Sequence, residues 1–208
     1  MAPAMKPNSD GRERRAIAAA LELRDAGDAS GGNTASGYAA VFNSETDIGG
    51  YWRETIAPGA FSNSLQSRDV IAVHSHDTGR VVGRKNAGTL TLREDDKGLA
   101  FDNVLPDTTD GRDLVVQIGR GDIAGMSFAF VAKREEWDET VEPPRRTIFE
   151  ADLYEITYTP FPAYPDTEVG LRSLEGIRDE RRQHNRTGAN ARISQRKARQ
   201  AHLERRIG

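Results

Sequence analysis

GMSFAFVAKREEW (residues 125–137) and TIFEADLYEITYT (147–159) decide the fold. Both runs are rich in aromatic and β-branched side chains, and apolar residues recur at every second position, so each reads as a strand. In the first, Met126, Phe128 and Phe130 share one face, while Gly125, Ser127, Ala129 and Val131 share the other. In the second, Thr147, Phe149, Ala151, Leu153 and Glu155 line one face; Glu150, Asp152, Tyr154 and Tyr158 line the opposite one, as solvent or partner contacts. EPPRR (142–146) is the loop between them, and the prolines of PFPAYPD (160–166) end the second run.

Further strands are expected upstream at GYAAVFN (37–43), YWRETIAP (51–58), VIAVHSH (70–76), TLTLRE (89–94) and LAFDNVL (99–105). The turn Asp95-Asp96-Lys97-Gly98 makes 89–105 a β-hairpin. Pro58-Gly59 breaks the chain before a short helix over FSNSLQS. In DTTDGRDLVVQIGRG (107–121), Leu114, Val115 and Ile118 fall at helical spacing; Thr109 or Asp110 caps the start, and Gly119 or Gly121 ends it. Six or seven strands with few helices make an α+β, mainly β chain, a barrel or sandwich with helices packed outside.

The flanks differ from this body. AIAAALEL (16–23) is a good helix former, and the Gly/Ser/Asp run after it cannot bury enough to hold a shape. Residues 1–35 are therefore expected to be a flexible N-terminal arm with a short helix, ahead of a body at 36–171. Residues 172–208 carry 11 basic and 4 acidic residues and no aromatic ones, the composition of a solvated helix or disordered basic tail. The net charge of −3 over 208 residues thus hides +7 in the tail and −10 before it.

The chain has no cysteine, which excludes disulfide scaffolds, thiolate metal sites and cysteine nucleophiles. No apolar run approaches the ~20 residues of a membrane helix. The start, MAPAMKPNSDGRERR, lacks a signal peptide's apolar stretch. A soluble, cytoplasmic protein without membrane contact is the expectation.

Three places carry reactive side chains. In VIAVHSHD, period two puts Val70, Ala72, His74 and His76 on one face. These are half-buried histidines, a general base, or two ligands of a metal that only carboxylates could complete. Ser127 sits among small residues, either as a packed serine or as a nucleophile needing a base within reach. Glu155 continues an apolar row and needs a partner: a structural salt bridge, or an imidazole that it orients. HExxH, the P-loop and the GxSxG elbow are all absent.

The segments GYAAVFN, ETIAPGAFSNSL, VHSHDTGRVVGR, LREDDKGLAFDNVLPDT, GRDLVVQIGRGDIAGMSFAF and DLYEITYTPFPAYPDTEV cover about 36–172. In that order they resemble the tailed-phage prohead protease family, serine endopeptidases of capsid maturation related to the herpesvirus assemblin protease. The resemblance implies a partly open β-barrel flanked by helices, and no cofactor. It makes Ser127 the nucleophile, His76 of the His-Asp pair the general base, and Glu155 the third member. Because the herpesvirus relatives use a second histidine there, His74 and Asp77 are alternatives. Gly121 and Gly125 are oxyanion-loop candidates.

The implied substrate is the major capsid protein or its scaffold segment, inside the assembling prohead in the host cytoplasm, with self-cleavage and a homo-oligomer, a dimer by resemblance. The basic tail would dock acidic capsid or scaffold segments, be trimmed by self-cleavage, or serve solubility. A non-catalytic assembly or scaffold-binding protein on the same fold is the alternative. Nucleic-acid binding through the tail ranks low, since the body is acidic and lacks an aromatic-basic strip.

Overall fold

The computed structural model describes residues 11–25, 33–160, 174–176, 178–179 and 182–183. The linker after Asp25, the PFPAYPD run beyond Pro160 and most of the basic tail lie outside the described residues. The chain divides after Thr167 into two units. In the second, the described residues are helical, and Arg182 pairs with Asp179 one turn away. The first carries every strand among the described residues.

Its elements run β1 (Glu13–Ala18), β2 (Glu22–Asp25), β3 (Asn33–Val41), β4 (Thr46–Ile48), β5 (Trp52–Ile56), α1 (Ser62–Ser67), β6 (Ile71–His74), β7 (Asp77–Arg84), β8 (Leu90–Glu94), β9 (Gly98–Val104), α2 (Thr109–Arg120), β10 (Gly125–Asp138) and β11 (Arg145–Thr159). The protein is mainly β, as expected, with more strands than the six or seven counted from sequence. β1, β10, β11, β5 and β4 lie side by side, and β6 and β7 complete a seven-stranded sheet; β2, β3, β9 and β8 form a second sheet of four. These pairings close no barrel among the described residues.

The helix expected within 16–23 is absent: the segment belongs to β1, a connection and β2. An isolated helix of eight residues is marginal in water, whereas the extended chain satisfies the edge of β10 from Glu13↔Phe130 to Ala18↔Gly125. Tertiary pairing overrides local propensity here.

The hairpin β10–β11 is the spine. Its antiparallel register pairs Ser127 with Thr157 and Ala129 with Glu155, and it slips near Phe130 and Arg134. The far edge of β11 has two parallel neighbours in succession, β5 against Arg145–Ile148 and β6 against Glu155–Tyr158. The register slips also change which side chains point inward. Arg146 and Ile148 are buried, while Thr147 and Phe149 are only half-buried. The sequence placed Arg146 in a loop and Tyr158 among surface contacts, and both are corrected. Tyr158 is fully buried. Its hydroxyl accepts from Asn103 Nδ2 at 3.0 Å, and burial pushes the phenol pKa up.

Aromatic side chains fill the space between the two sheets. Phe101 of β9 meets Tyr158 of β11 edge-on, with ring centroids 5.9 Å apart, and Phe61 meets Phe128 the same way at 5.7 Å. Such contacts add about 0.5–1.5 kcal/mol each beyond area burial.

A second interior region is ionic. Arg15 Nε lies 2.6 Å from Glu54 Oε1, Arg146 Nη1 lies 2.6 Å from Glu13 Oε2 and 2.9 Å from Glu54 Oε2, and Arg146 also pairs with Glu135. Trp137 packs against the Arg146 guanidinium and edge-on to Trp52. These charges tolerate burial because each is paired and hydrogen-bonded.

The N-cap of α2 lies one residue ahead of the expected Thr109. Thr108 is the N-cap, its Oγ1 accepting from Gly111 N–H at 3.3 Å, and Asp110 instead receives Arg80. Gly121 ends the helix at φ 80°, in the left-handed region that favours glycine. No helix among the described residues is long and apolar enough to cross a membrane.

Candidate active site

β6 runs parallel to β11 and stops at His74, directly beside Tyr158. The next two residues, Ser75 (φ 53°) and His76 (φ 59°), are both left-handed. That conformation costs of order 1–3 kcal/mol for each residue with a side chain. Ser75 N–H donates to the Tyr158 carbonyl at 3.0 Å, and His76 N–H donates to Thr157 Oγ1 at 2.9 Å. The expectation that His74 and His76 share one face fails at this turn, which swings the second imidazole back over the spine.

There His76 bridges two buried groups. Its Nε2 lies 2.9 Å from Ser127 Oγ, and its Nδ1 lies 2.6 Å from Glu155 Oε1. Ser127 is 2 % and Glu155 4 % exposed. A carboxylate only accepts, so Nδ1 is the donor toward Glu155, and in the neutral ring Nε2 is left to accept from the serine hydroxyl. Gly125 and Ala129 flank Ser127 on its own face, and Ala16 of β1 lies opposite it, so small side chains surround the hydroxyl.

The two alternatives to Glu155 lie elsewhere. Arg80 Nη1 donates to His74 Nδ1 at 2.7 Å, which leaves His74 Nε2–H to donate to Gln117 Oε1 at 3.1 Å. Both nitrogens of His74 are thereby turned to β7 and α2. Asp77 Oδ1 accepts from Gly79 N–H at 2.8 Å within β7. Among the described residues no group of three His, Asp or Glu is arranged to hold a metal ion.

Gly121 closes α2, and Gly125 opens β10 two residues before Ser127, between Ala18 and Thr159. Sequence reasoning missed Thr157, Arg80 and Gln117. Thr157 was within reach of it: two positions beyond Glu155 on one strand, it shares the same face.

A family model of the caudovirus prohead serine protease matches residues 19–180, and the chain belongs to that family. The match contains Ser127, His76 and Glu155, whereas β1 precedes it. No curated protein and no solved structure matches the chain. Family membership makes it a serine protease of bacteriophage capsid maturation, with capsid protein as substrate and the assembling prohead as its place of action.

Proposed function

We propose that this chain is a serine endopeptidase in which Ser127 is the nucleophile, His76 the general base and Glu155 the group that orients and charge-stabilises His76. The observation that carries this reading is one imidazole bridging a serine hydroxyl and a buried carboxylate at 2.9 and 2.6 Å. As Ser127 Oγ attacks a peptide carbonyl, His76 Nε2 takes its proton and later delivers it to the leaving amine. Glu155 keeps the Nδ1–H tautomer and balances the imidazolium that forms. Backbone N–H groups of the segment from Gly121 to Gly125 are the oxyanion donors in this reading; one such donor is commonly worth ~2.7–4 kcal/mol.

The substrate would be the major capsid protein or its scaffold segment, with self-cleavage in the arm or the basic tail and a homo-oligomeric enzyme. The barrel-like curvature of the fold also belongs to this reading. It is supported by Arg15 of the edge strand β1 reaching Glu54 of β5, two strands beyond β10. Incubating the purified chain, alone and with its cognate capsid protein, and mapping new termini by mass spectrometry tests the reading. Wild type should cut itself or the cognate capsid protein, and Ser127→Ala should do neither while keeping its fold. Undiminished cleavage by Ser127→Ala would end it.

A further inference from the structure

We propose that Thr157 is a positioning residue for this site, holding His76 in a left-handed backbone conformation that delivers its imidazole to Ser127. The inference rests on the serine-protease reading above and adds a residue to it. Thr157 is fully buried on β11, opposite Ser127 in one ladder and beside Val73 in the other. Its hydroxyl is used twice: Oγ1 accepts from His76 N–H at 2.9 Å and donates to the Val73 carbonyl at 3.0 Å. One hydroxyl thus ties the last turn of the β6 chain to the strand that carries Glu155.

The tie is needed because the turn opposes local preference. Two consecutive side-chain-bearing residues at positive φ persist only where the surroundings over-determine them. Ser75 is held by the backbone carbonyl of Tyr158, which any variant at position 157 retains. The N–H of His76 has Thr157 Oγ1 as its partner. Removing that hydroxyl leaves the part-buried N–H of His76 and the buried carbonyl of Val73 to find new partners. The turn relaxes toward an extended conformation, and the imidazole leaves the line between Glu155 and Ser127. A displacement of about 1 Å at such a site costs on the order of 100-fold in rate.

The test compares Thr157→Val, which keeps the β-branched shape and removes the hydroxyl, with Thr157→Ser, which keeps the hydroxyl. The first readout is the rate of covalent labelling by a fluorophosphonate, which needs an activated serine and no knowledge of the substrate. The second is the downfield imidazole N–H proton resonance of the His76–Glu155 hydrogen bond, assigned with Glu155→Ala. Thr157→Val should label roughly 10–100-fold more slowly and lose or shift that resonance. Thr157→Ser should label within about threefold of wild type and keep it. A Thr157→Val protein with wild-type labelling and an unmoved resonance overturns the proposal. So does a Thr157→Ser protein as impaired as Thr157→Val, since shape rather than the hydroxyl would then be at issue. If wild type itself is not labelled, the nucleophile assignment fails, and the response of the resonance to Thr157→Val still decides the role of Thr157.

Discussion

Arg146 and Glu13 stand 133 positions apart in sequence and 2.6 Å apart in the fold. Their contact joins the first strand to the last, through a buried cluster that also includes Arg15, Glu54 and Glu135. Arg146→Ala would leave Glu13 and Glu54 to share the Arg15 guanidinium and would take the Arg146 guanidinium from Glu135. Breaking a buried pair from one side typically costs ~3–5 kcal/mol. A large loss of stability is expected in urea or thermal unfolding. A drop within about 1 kcal/mol, the range of exposed pairs, would show the cluster to be dispensable.

The same cluster sets an acid limit. Burial alone would raise the Glu54 carboxyl, but the Arg15 guanidinium, then Arg146, outweigh it and hold the group below the ordinary value of 4.5. A carboxyl depressed in the folded state contributes stability that is fully present above its unfolded value and fades as pH falls toward its folded one. Unfolding free energy should therefore be flat with respect to this group above pH 4.5 and decline below it. Glu54→Gln, in a background that still folds, should reduce that slope; an identical acid profile for the two proteins would remove Glu54 from the explanation.

Glu155→Gln is the sharpest test of the third member. A glutamine can present an N–H to His76 Nδ1, which then becomes the acceptor and moves the proton to Nε2, facing Ser127. In that tautomer the ring cannot take the serine proton, and turnover should fall by about 10⁴ with little change in fold. His74→Ala, which disturbs only the Arg80 and Gln117 contacts, should cost far less. Equal losses in the two variants, measured as fluorophosphonate labelling, would contradict the division of roles.

Gly83→Ala probes packing behind the site. A Cβ at this position would lie 1.9 Å from Asn103 Oδ1, the side chain whose amide donates to Tyr158. Overpacking of this kind costs about 1–3 kcal/mol, and the melting temperature should fall accordingly. An unchanged melting point would mean that Asn103 can move aside without disturbing its neighbours.

Much of this architecture is legible from residue patterns. The hairpin of β8 and β9 follows from a period-two run around Asp95–Gly98, and Ser127 and Glu155 stand out because each is polar within an apolar strand row. The route of His76 to Ser127 is not legible that way. It depends on two left-handed residues, neither of them glycine, and on a hydroxyl 81 positions away. β1 was hidden for a different reason. Its alanines favour a helix locally, and only the open edge of β10 makes the extended form preferable. Arg146 was hidden because its three carboxylate partners come from three separate strands, and no spacing rule within a segment reveals such a meeting.

β1 lies ahead of the stretch that matches the family, and this matters to anyone choosing where to begin an expressed protein. A chain started at residue 19 would bare the backbone edge of the very strand that carries Ser127, inviting sheet-to-sheet self-association. It would also deprive Arg146 of both carboxylate oxygens of Glu13. The stable enzyme is therefore expected to be longer than its recognisable catalytic portion, and it includes an acid, Glu13, that performs no chemistry.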